Sequence, residues 1–185
     1  MAASKFLIGI NEITEDTIFT FDSLRVHELD LKIKAVEKFG SINARIKLNS
    51  SSIGITADFK VAFKVYLKCN RCLDTFTRDF QASLYLNYIQ GKDPNKDAEK
   101  VDLKNSEVER VYISGNNIDL SVGIREAIVL SLPITFLCCE QCRGLCPVCG
   151  INRNKTKCKC KVEKISLFAP VVMKRKTGEK RSKKK

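Results

Sequence analysis

The sequence predicts an α+β protein, in which an antiparallel β-sheet or partial barrel carries one packed helix and is followed by a C-terminal cysteine-rich module. Three observations support this prediction. Apolar and polar residues alternate through much of the first half of the chain, which is typical of half-buried strands. One later segment has helical periodicity. Seven of the nine cysteines lie between Cys138 and Cys160. With 185 residues, 44% of them apolar, the chain can bury a core of ordinary size.

The strands are predicted from this alternation. It becomes clear at Ser41, and the composition of residues 49–52 then predicts a turn. The residues expected to point inward on the last long strand are Phe80, Ala82, Leu84, Leu86 and Tyr88. In chain order, the strand candidates are Lys5 to Ile10, Thr17 to Phe21, Ser41 to Leu48, Phe59 to Leu67, Phe76 to Tyr88 and Val108 to Ile113.

The single helix is predicted over Leu120 to Leu130. Leu120, Ile124 and Ile128 recur at helical spacing, Asp119 or Ser121 is suited to cap the first turn, and Pro133 ends the segment. Such a helix should lie on one face of the sheet. The polar segment from Gly91 to Ser106 lacks an apolar period and is predicted to be a mobile loop.

The cysteines have metal-ligand spacing. Cys69 and Cys72 form one Cys-x2-Cys knuckle, predicted at the tip of a hairpin between two long strands. Cys138, Cys142, Cys146, Cys149, Cys158 and Cys160 form the later cluster, and Cys139 is an extra thiol. Two intervening residues let two sulfurs reach one ion at about 2.3 Å. Disulfides are the alternative, but the chain shows no secretory signal or membrane segment, so a cytoplasmic location with reduced thiols is expected.

Eight cysteines, without Cys139, suffice for two sites of four thiolates each. The favoured pairing puts the last four, from Cys146 to Cys160, around one ion, and joins Cys69 and Cys72 to Cys138 and Cys142. The alternative joins the Cys69/Cys72 knuckle to Cys146 and Cys149, as in a zinc ribbon or rubredoxin, and gives one site. Zinc, as one or two ions, is the expected cofactor. Iron remains an alternative for rubredoxin-like geometry.

The charge of the chain is divided unequally. Residues 1–140 carry 18 Lys/Arg against 19 Asp/Glu, a net of −1, and residues 141–185 carry 15 against 2, a net of +13. Four thiolates around one zinc ion leave a formal −2, so part of the excess balances the metal sites. The remainder predicts a polyanionic partner. The candidate contact residues are Arg143, Lys155, Lys157, Lys159, Lys161, Lys174, Arg175, Lys176, Lys180, Arg181, Lys183, Lys184 and Lys185.

Three units are predicted along the chain: a β-rich domain with one helix at residues 1–137, a cysteine-rich zinc module at 138–172, and a disordered basic tail at 173–185. Catalysis is not expected. The sequence has no Gly-rich phosphate loop, and with His27 as its one histidine it cannot form a pair of catalytic histidines. A redox role for Cys69 and Cys72 is disfavoured because their knuckle lies between strands.

These motifs together resemble the YceD family. The resemblance covers roughly residues 40 to 172. It is carried by the Cys69-Asn70-Arg71-Cys72-Leu73 knuckle between strands, the Ile118-Asp119-Leu120 opening of a helix, Leu132-Pro133, the run from Cys138 through Cys142-Arg143-Gly144-Leu145-Cys146-Pro147-Val148-Cys149-Gly150-Ile151-Asn152, and the closing Cys158-Lys159-Cys160.

The resemblance implies a non-catalytic cytoplasmic factor for accumulation of large-subunit ribosomal RNA. The expected partner is that RNA or a pre-ribosomal particle, with no membrane and no small-molecule substrate. The alternative is a zinc-ribbon protein that binds DNA or a ribosomal or transcription protein. DNA binding would require a base-reading helix near the metal, and none is predicted between Cys160 and Pro170. No aromatic residues are interleaved with the lysines, so contacts to phosphate are expected rather than base stacking.

Overall fold

The computed structural model describes residues 5–33, 36–52, 54–94 and 109–160. Within these ranges the chain forms seven strands and one α-helix, together with 3₁₀ turns at Ile10–Glu12 and Val26–Glu28. The strands are β1 (Leu7–Gly9), β2 (Thr17–Phe21), β3 (Val36–Ser51), β4 (Gly54–Lys68), β5 (Thr75–Gln90), β6 (Arg110–Ile113) and β7 (Asn117–Asp119), and the helix is α1 (Leu120–Ser131). The prediction of a mostly β chain with one helix is confirmed.

Three long antiparallel strands, β3, β4 and β5, form the centre of a five-stranded sheet of order β2-β3-β4-β5-β6. Alternate residues of β4, from Ile55 to Leu67, point into the core and are buried. On β5, Ala82, Leu86 and Tyr88 are buried, while Phe80 and Leu84 pack against the core partly buried. The inward face of β5 is therefore the predicted one.

Two boundaries of β3 differ from prediction. The strand begins at Val36, five residues before the alternation becomes clear, and its pairing with β4 shifts register between Val36 and Lys38 and between Phe39 and Ile42. Such irregularities interrupt the period of two, which hides the start of the strand in the sequence. The turn predicted at residues 49–52 begins later, because β3 continues to Ser51, which pairs with Gly54.

The sheet is open and mixed. Its last pair, β5 with β6, is parallel, so the prediction of a wholly antiparallel sheet is wrong at this edge. In the part of the chain that the structure describes, β2 and β6 lie at opposite edges and do not pair, so the partial barrel is not confirmed either. β1 pairs with β7 in a separate two-stranded sheet.

The helix begins where predicted, because the Asp119 carboxylate accepts a hydrogen bond from the Ser121 amide at 2.9 Å. Leu120, Ile124 and Ile128 are fully buried against the sheet. None of the helices among the described residues has the length and apolar character that crossing a bilayer requires.

Two predicted segments cannot be compared in full with the structure. Most of the predicted Gly91–Ser106 loop and all of the 173–185 tail lie outside the described residues. The division of the chain at residues 137 and 172 stays a prediction.

Candidate metal centre

The first knuckle forms the tip of the β4–β5 hairpin, as predicted. Two backbone hydrogen bonds close the knuckle. The Cys69 amide donates to the Asp74 carbonyl at 2.9 Å, and the Leu73 amide donates to the Cys69 carbonyl at 2.9 Å. Leu73 has a positive φ of 61°, which turns the chain back into β5. The sulfurs of Cys69 and Cys72 are thereby held side by side at the end of two long strands.

Two later cysteines join this knuckle to form the first cluster, Cys69, Cys72, Cys138 and Cys142. The four sulfurs all lie within 4.8 Å of one another. The Cys69 and Cys142 sulfurs are 3.8 Å apart, and those of Cys72 and Cys138 are 3.7 Å apart. Only Cys138 is not fully buried, and Phe76 and Leu137 pack around the group.

Hydrogen bonds fix the segment that carries Cys138 and Cys142 on the hairpin tip. The Asn70 amide donates to the Phe136 carbonyl at 2.9 Å, and the Asn70 side-chain oxygen accepts from the Phe136 amide at 3.3 Å. The Arg71 guanidinium donates to the Cys142 carbonyl at 3.1 Å. The two non-cysteine residues inside the knuckle therefore position the partner cysteines.

The pKa values of the four thiols in the first cluster shift in different directions. Burial by itself raises the pKa of Cys69, but backbone amides of Cys72, Cys138 and Arg71 donate to its sulfur and bring the pKa down to about 6. The Asn154 side-chain amide, 3.2 Å from the Cys142 sulfur, lowers the pKa of that thiol. Burial raises the pKa of both Cys72 and Cys138. Four like charges this close repel, so full ionisation requires a cation.

The second cluster is Cys146, Cys149, Cys158 and Cys160, whose sulfurs also lie within 4.8 Å of one another. The Gly150 amide donates to the Cys146 carbonyl at 2.9 Å, and Gly150 has the positive φ of 72° that such a tight turn requires. Backbone amides of Cys149 and Val148 lower the pKa of Cys146 to about 6. Cys149 is exposed, and Cys158 and Cys160 are half-buried, so this cluster is closer to solvent than the first.

Three residues connect Cys142 of the first cluster to Cys146 of the second. Gly144 has a φ of +68°, and a Cβ there would lie 2.9 Å from the Arg71 carbonyl oxygen. The next residue, Leu145, donates its amide to that same carbonyl at 2.9 Å. The Asn152 side chain donates to Asp74 at 2.9 Å. The second cluster is thus attached to the hairpin tip as well as to the first cluster.

The first cluster has the dimensions of a tetrahedral metal site, and the second also gathers four sulfurs within 4.8 Å of one another. A tetrahedron of sulfurs about 2.3 Å from its centre has edges of about 3.8 Å. In the first cluster, the Cys69–Cys142 and Cys72–Cys138 sulfur pairs are 3.8 and 3.7 Å apart. A divalent cation would remove the repulsion between the thiolates. The grouping is that of the favoured two-site pairing rather than the single ribbon. Cys139 belongs to neither group, although its sulfur lies 4.0 Å from that of Cys138.

The basic residues near the clusters differ in whether an acidic side chain pairs with them. Lys155 forms an ion pair with Asp74 at 2.9 Å, which raises the pKa of the lysine. Arg143, Lys157 and Lys159 are exposed. The other predicted contact residues, Lys161, Lys174, Arg175, Lys176, Lys180, Arg181, Lys183, Lys184 and Lys185, lie outside the described residues. Their predicted role in polyanion binding stays a prediction.

Three polar residues matter to the site although their sequence context did not single them out as site residues. Asn154 donates to the Cys142 sulfur and accepts from the Arg143 amide at 2.8 Å. Asn152 and Asp74 join the second cluster to the hairpin. The only signal available was the Asn-Arg-Asn run two residues after Gly150, since asparagine side chains often bond to nearby backbone.

Comparison with known proteins places most of the chain in one family. The family model described as "Large ribosomal RNA subunit accumulation protein YceD" matches residues 57–171, more than half of the chain. The chloroplastic YCED homolog 1 of Arabidopsis thaliana, named a large ribosomal RNA subunit accumulation protein, is 42% identical over 55 residues, which are 29% of this chain and 17% of that protein.

Two further relatives extend the comparison. An uncharacterized protein of Mycobacterium tuberculosis (strain H37Rv) is 28% identical over 123 residues, 66% of this chain and 56% of that protein. The chloroplastic homolog of Zea mays is 38% identical over 55 residues, 29% of this chain and 19% of that protein. The chain thus aligns with about half of the mycobacterial relative and less than a fifth of the plant ones. No solved structure matches it.

Proposed function

The chain belongs to the YceD family, and from this premise we propose that it is a non-catalytic factor for accumulation of large-subunit ribosomal RNA. It binds that RNA, or a pre-ribosomal particle, through residues 141–185. Two zinc ions hold the folded part of this segment in shape. The relatives' names supply the ribosomal context, and the proposal extends it to direct binding by this chain.

The observation that carries the proposal is the strongly basic segment that supplies most of the cysteines of the two four-cysteine clusters. Residues 141–160 carry five Lys/Arg and no Asp/Glu, and five of the eight clustered cysteines also lie there. A segment of this length has too few apolar residues to bury a core, so metal binding supplies its folding free energy. The metal sites therefore convert a charged segment into a fixed cationic surface.

A polyanion is the partner that this surface suits. The rest of the chain, residues 1–140, has a net charge of −1, so the excess of +13 is confined to one end. Phosphate neutralisation by Lys and Arg releases counterions and supplies most of the affinity of such surfaces. The proposal includes no chemical step, since the eight converging thiols all serve as metal ligands. We place the protein in the cytoplasm, where its RNA partner is assembled into subunits.

Zinc content is the first test of the proposal. Elemental analysis of purified protein should return close to two zinc ions per chain. Cys149→Ser should lose the ion of the second cluster, and Cys139→Ser, a matched cysteine outside both clusters, should keep both ions. One equivalent in the wild type, or iron in place of zinc, would overturn the two-site scheme.

RNA binding is the second test. Tagged protein isolated from its own cells should co-purify large-subunit rRNA or its precursor above the level of small-subunit rRNA, and Cys149→Ser should lose that enrichment. Filter binding with unlabelled RNA or DNA as competitor distinguishes the alternative. Equal competition by duplex DNA, or co-purification of protein without RNA, would favour the alternative hypothesis of a zinc-ribbon protein with a DNA or protein partner.

A further inference from the structure

A small cationic hollow lies beside the second cysteine cluster. Its volume is about 230 Å³, several times the roughly 30 Å³ that one water molecule occupies in the liquid, so it can admit a phosphate group. The residues that line it are Arg143, Arg153, Thr156, Lys157, Cys158 and Cys160. Three of these six are cations, none is a carboxylate, and Cys158 and Cys160 belong to the second cluster.

The three cations are not paired with carboxylates in the part of the chain that the structure describes. Among the described residues, no carboxylate forms an ion pair with Arg143, Arg153 or Lys157. Their neighbour Lys155 differs, because Asp74 engages its ammonium group at 2.9 Å. The hollow is therefore lined by three cations without a carboxylate partner, while Lys155 contributes to the contact with the hairpin.

Backbone hydrogen bonds fix the loop that carries these side chains. The Arg153 amide donates to the Gly144 carbonyl at 2.9 Å, and the Thr156 amide donates to the Asn152 carbonyl at 3.0 Å. The Arg143 amide donates to the Asn154 side chain at 2.8 Å. Such bonds reduce the ordering cost of binding, and paired guanidinium groups suit the geometry of phosphate oxygens.

We propose that this hollow is a phosphate-binding subsite for RNA, in which Arg143, Arg153 and Lys157 each contact a backbone phosphate and the Thr156 hydroxyl donates to a phosphate oxygen. The inference rests on the proposed function and deepens it. It adds Arg153 and Thr156 to the predicted contact residues and separates Lys155 from them. Compensation of the thiolate charge is the competing role for the three cations, and zinc retention distinguishes the two.

The test is RNA binding by the full chain loaded with zinc, with a large-subunit rRNA transcript as the probe at several salt concentrations. Each lost phosphate contact should reduce the magnitude of the log–log salt slope by about 0.7, which is a loss of about fivefold in affinity at 0.1 M salt. Arg153→Gln should show this single step. The triple change of Arg143, Arg153 and Lys157 to Gln should reduce the slope by about 2 and the affinity by about a hundredfold.

Two matched variants control for charge and chemistry. Lys155→Gln removes one positive charge from the same loop and should leave the slope within about 0.3 of the wild-type value, since Asp74 already engages that lysine. Arg153→Lys keeps the charge and should keep the slope while losing affinity, because lysine does not form paired hydrogen bonds.

The outcomes separate this inference from the proposed function. Wild-type protein that binds no RNA would overturn both. Wild-type binding that the triple variant retains with an unchanged slope would overturn the subsite alone. If the triple variant loses zinc to a chelator faster but binds RNA as before, the cations only balance the thiolates. If Lys155→Gln weakens binding as much as Arg153→Gln, the effect is one of net charge, and the hollow has no special role.

Discussion

At the scale of single residues, the clustered cysteines were predictable and the hydrogen bonds that support them were not. Cysteine spacing identified all eight thiols that form the two clusters. Asn154, which contacts the Cys142 sulfur, lies twelve residues away in the sequence. Its role depends on how the loop after Gly150 folds back on residues 142–144, and no local pattern encodes that contact.

Asn154→Asp should weaken zinc binding at the first cluster. The aspartate oxygen can still accept from the Arg143 amide, but the donor 3.2 Å from the Cys142 sulfur is replaced by an oxygen with no proton to donate. Losing a hydrogen bond to a ligand costs about 10–100-fold in metal affinity. Competition with a chromophoric chelator measures this, with Lys155→Gln as the control expected to match the wild type. Equal affinity of Asn154→Asp and wild type would show that the contact does not support the ligand.

Tyr88→Phe should stabilise the protein. The Tyr88 side chain is buried, and its hydroxyl has no hydrogen-bond partner among the described residues. Burial raises the pKa of this phenol, and Glu126 and Asp119 raise it further. An unsatisfied buried hydroxyl costs about 1–3 kcal/mol, so the variant should gain about 1 kcal/mol in the free energy of unfolding, measured in urea at pH 7.

The same substitution should change the pH dependence. A phenol whose folded pKa is raised contributes stability below its unfolded pKa of about 10, and that contribution is lost as pH rises toward the folded value. Wild-type stability should therefore fall more steeply above about pH 10 than that of Tyr88→Phe. Tyr85→Phe, at a position with 45% exposure, should change neither quantity appreciably. A less stable Tyr88→Phe would indicate that the hydroxyl has a partner after all.

At the scale of secondary structure elements, local periodicity predicted the long strands and the helix. It did not predict how the short strands pair. β6 pairs in parallel with β5, and β1 pairs with β7 more than a hundred residues later in the chain. These short strands are positioned by distant partners rather than by their own three or four residues. The helix could be predicted because its cap and its apolar spacing lie within a dozen residues.

Gly123→Ala should destabilise the packing of α1 on β4. A Cβ at Gly123 would lie 2.3 Å from the Phe59 ring, which is fully buried. Overpacking of this kind costs about 1–3 kcal/mol, whereas alanine gains about 1 kcal/mol in helix propensity. We therefore expect a net loss of up to about 2 kcal/mol in the free energy of unfolding, measured in urea.

Two further variants identify the cause of that loss. Phe59→Leu combined with Gly123→Ala should be less destabilising than the sum of the single changes, because the smaller side chain leaves room for the new methyl group. Val129→Ala, on the exposed side of the same helix, should change stability by no more than about 0.5 kcal/mol. A stabilised Gly123→Ala would mean that the helix can move off the sheet at little cost.

At the scale of the whole molecule, sequence reasoning identified the division of charge but left open which cysteines share an ion. Spacing alone allowed either the two-site or the single-ribbon arrangement. The structure favours two sites because Asn70 and Arg71 hold residues 136–142 on the hairpin tip, which brings Cys138 and Cys142 to the first knuckle. That docking is a tertiary contact over more than 60 residues, and no local pattern predicts it.

Deletion of Lys174 to Lys185 should weaken RNA binding without affecting the fold. This segment carries eight Lys/Arg and one Glu and lies beyond both cysteine clusters, so zinc content and unfolding in urea should match the full chain. If about six phosphates are neutralised in all, the full chain should show a log–log salt slope of about −4 to −5 for looped or single-stranded RNA. The three cations of the hollow should contribute about 2 to the magnitude of this slope, and the tail should contribute most of the remainder.

The deletion should therefore reduce the slope to about −2 and weaken binding to all RNA sequences alike, because the tail would contact phosphates and not bases. Substitution within the hollow should instead reduce the preference for large-subunit rRNA as well as the slope, since a fixed subsite recognises the spacing of phosphates in a folded RNA. A chain without the tail whose affinity and salt slope match those of the full chain would assign its charge to solubility. A protein partner would then be the better explanation for the basic end of the molecule.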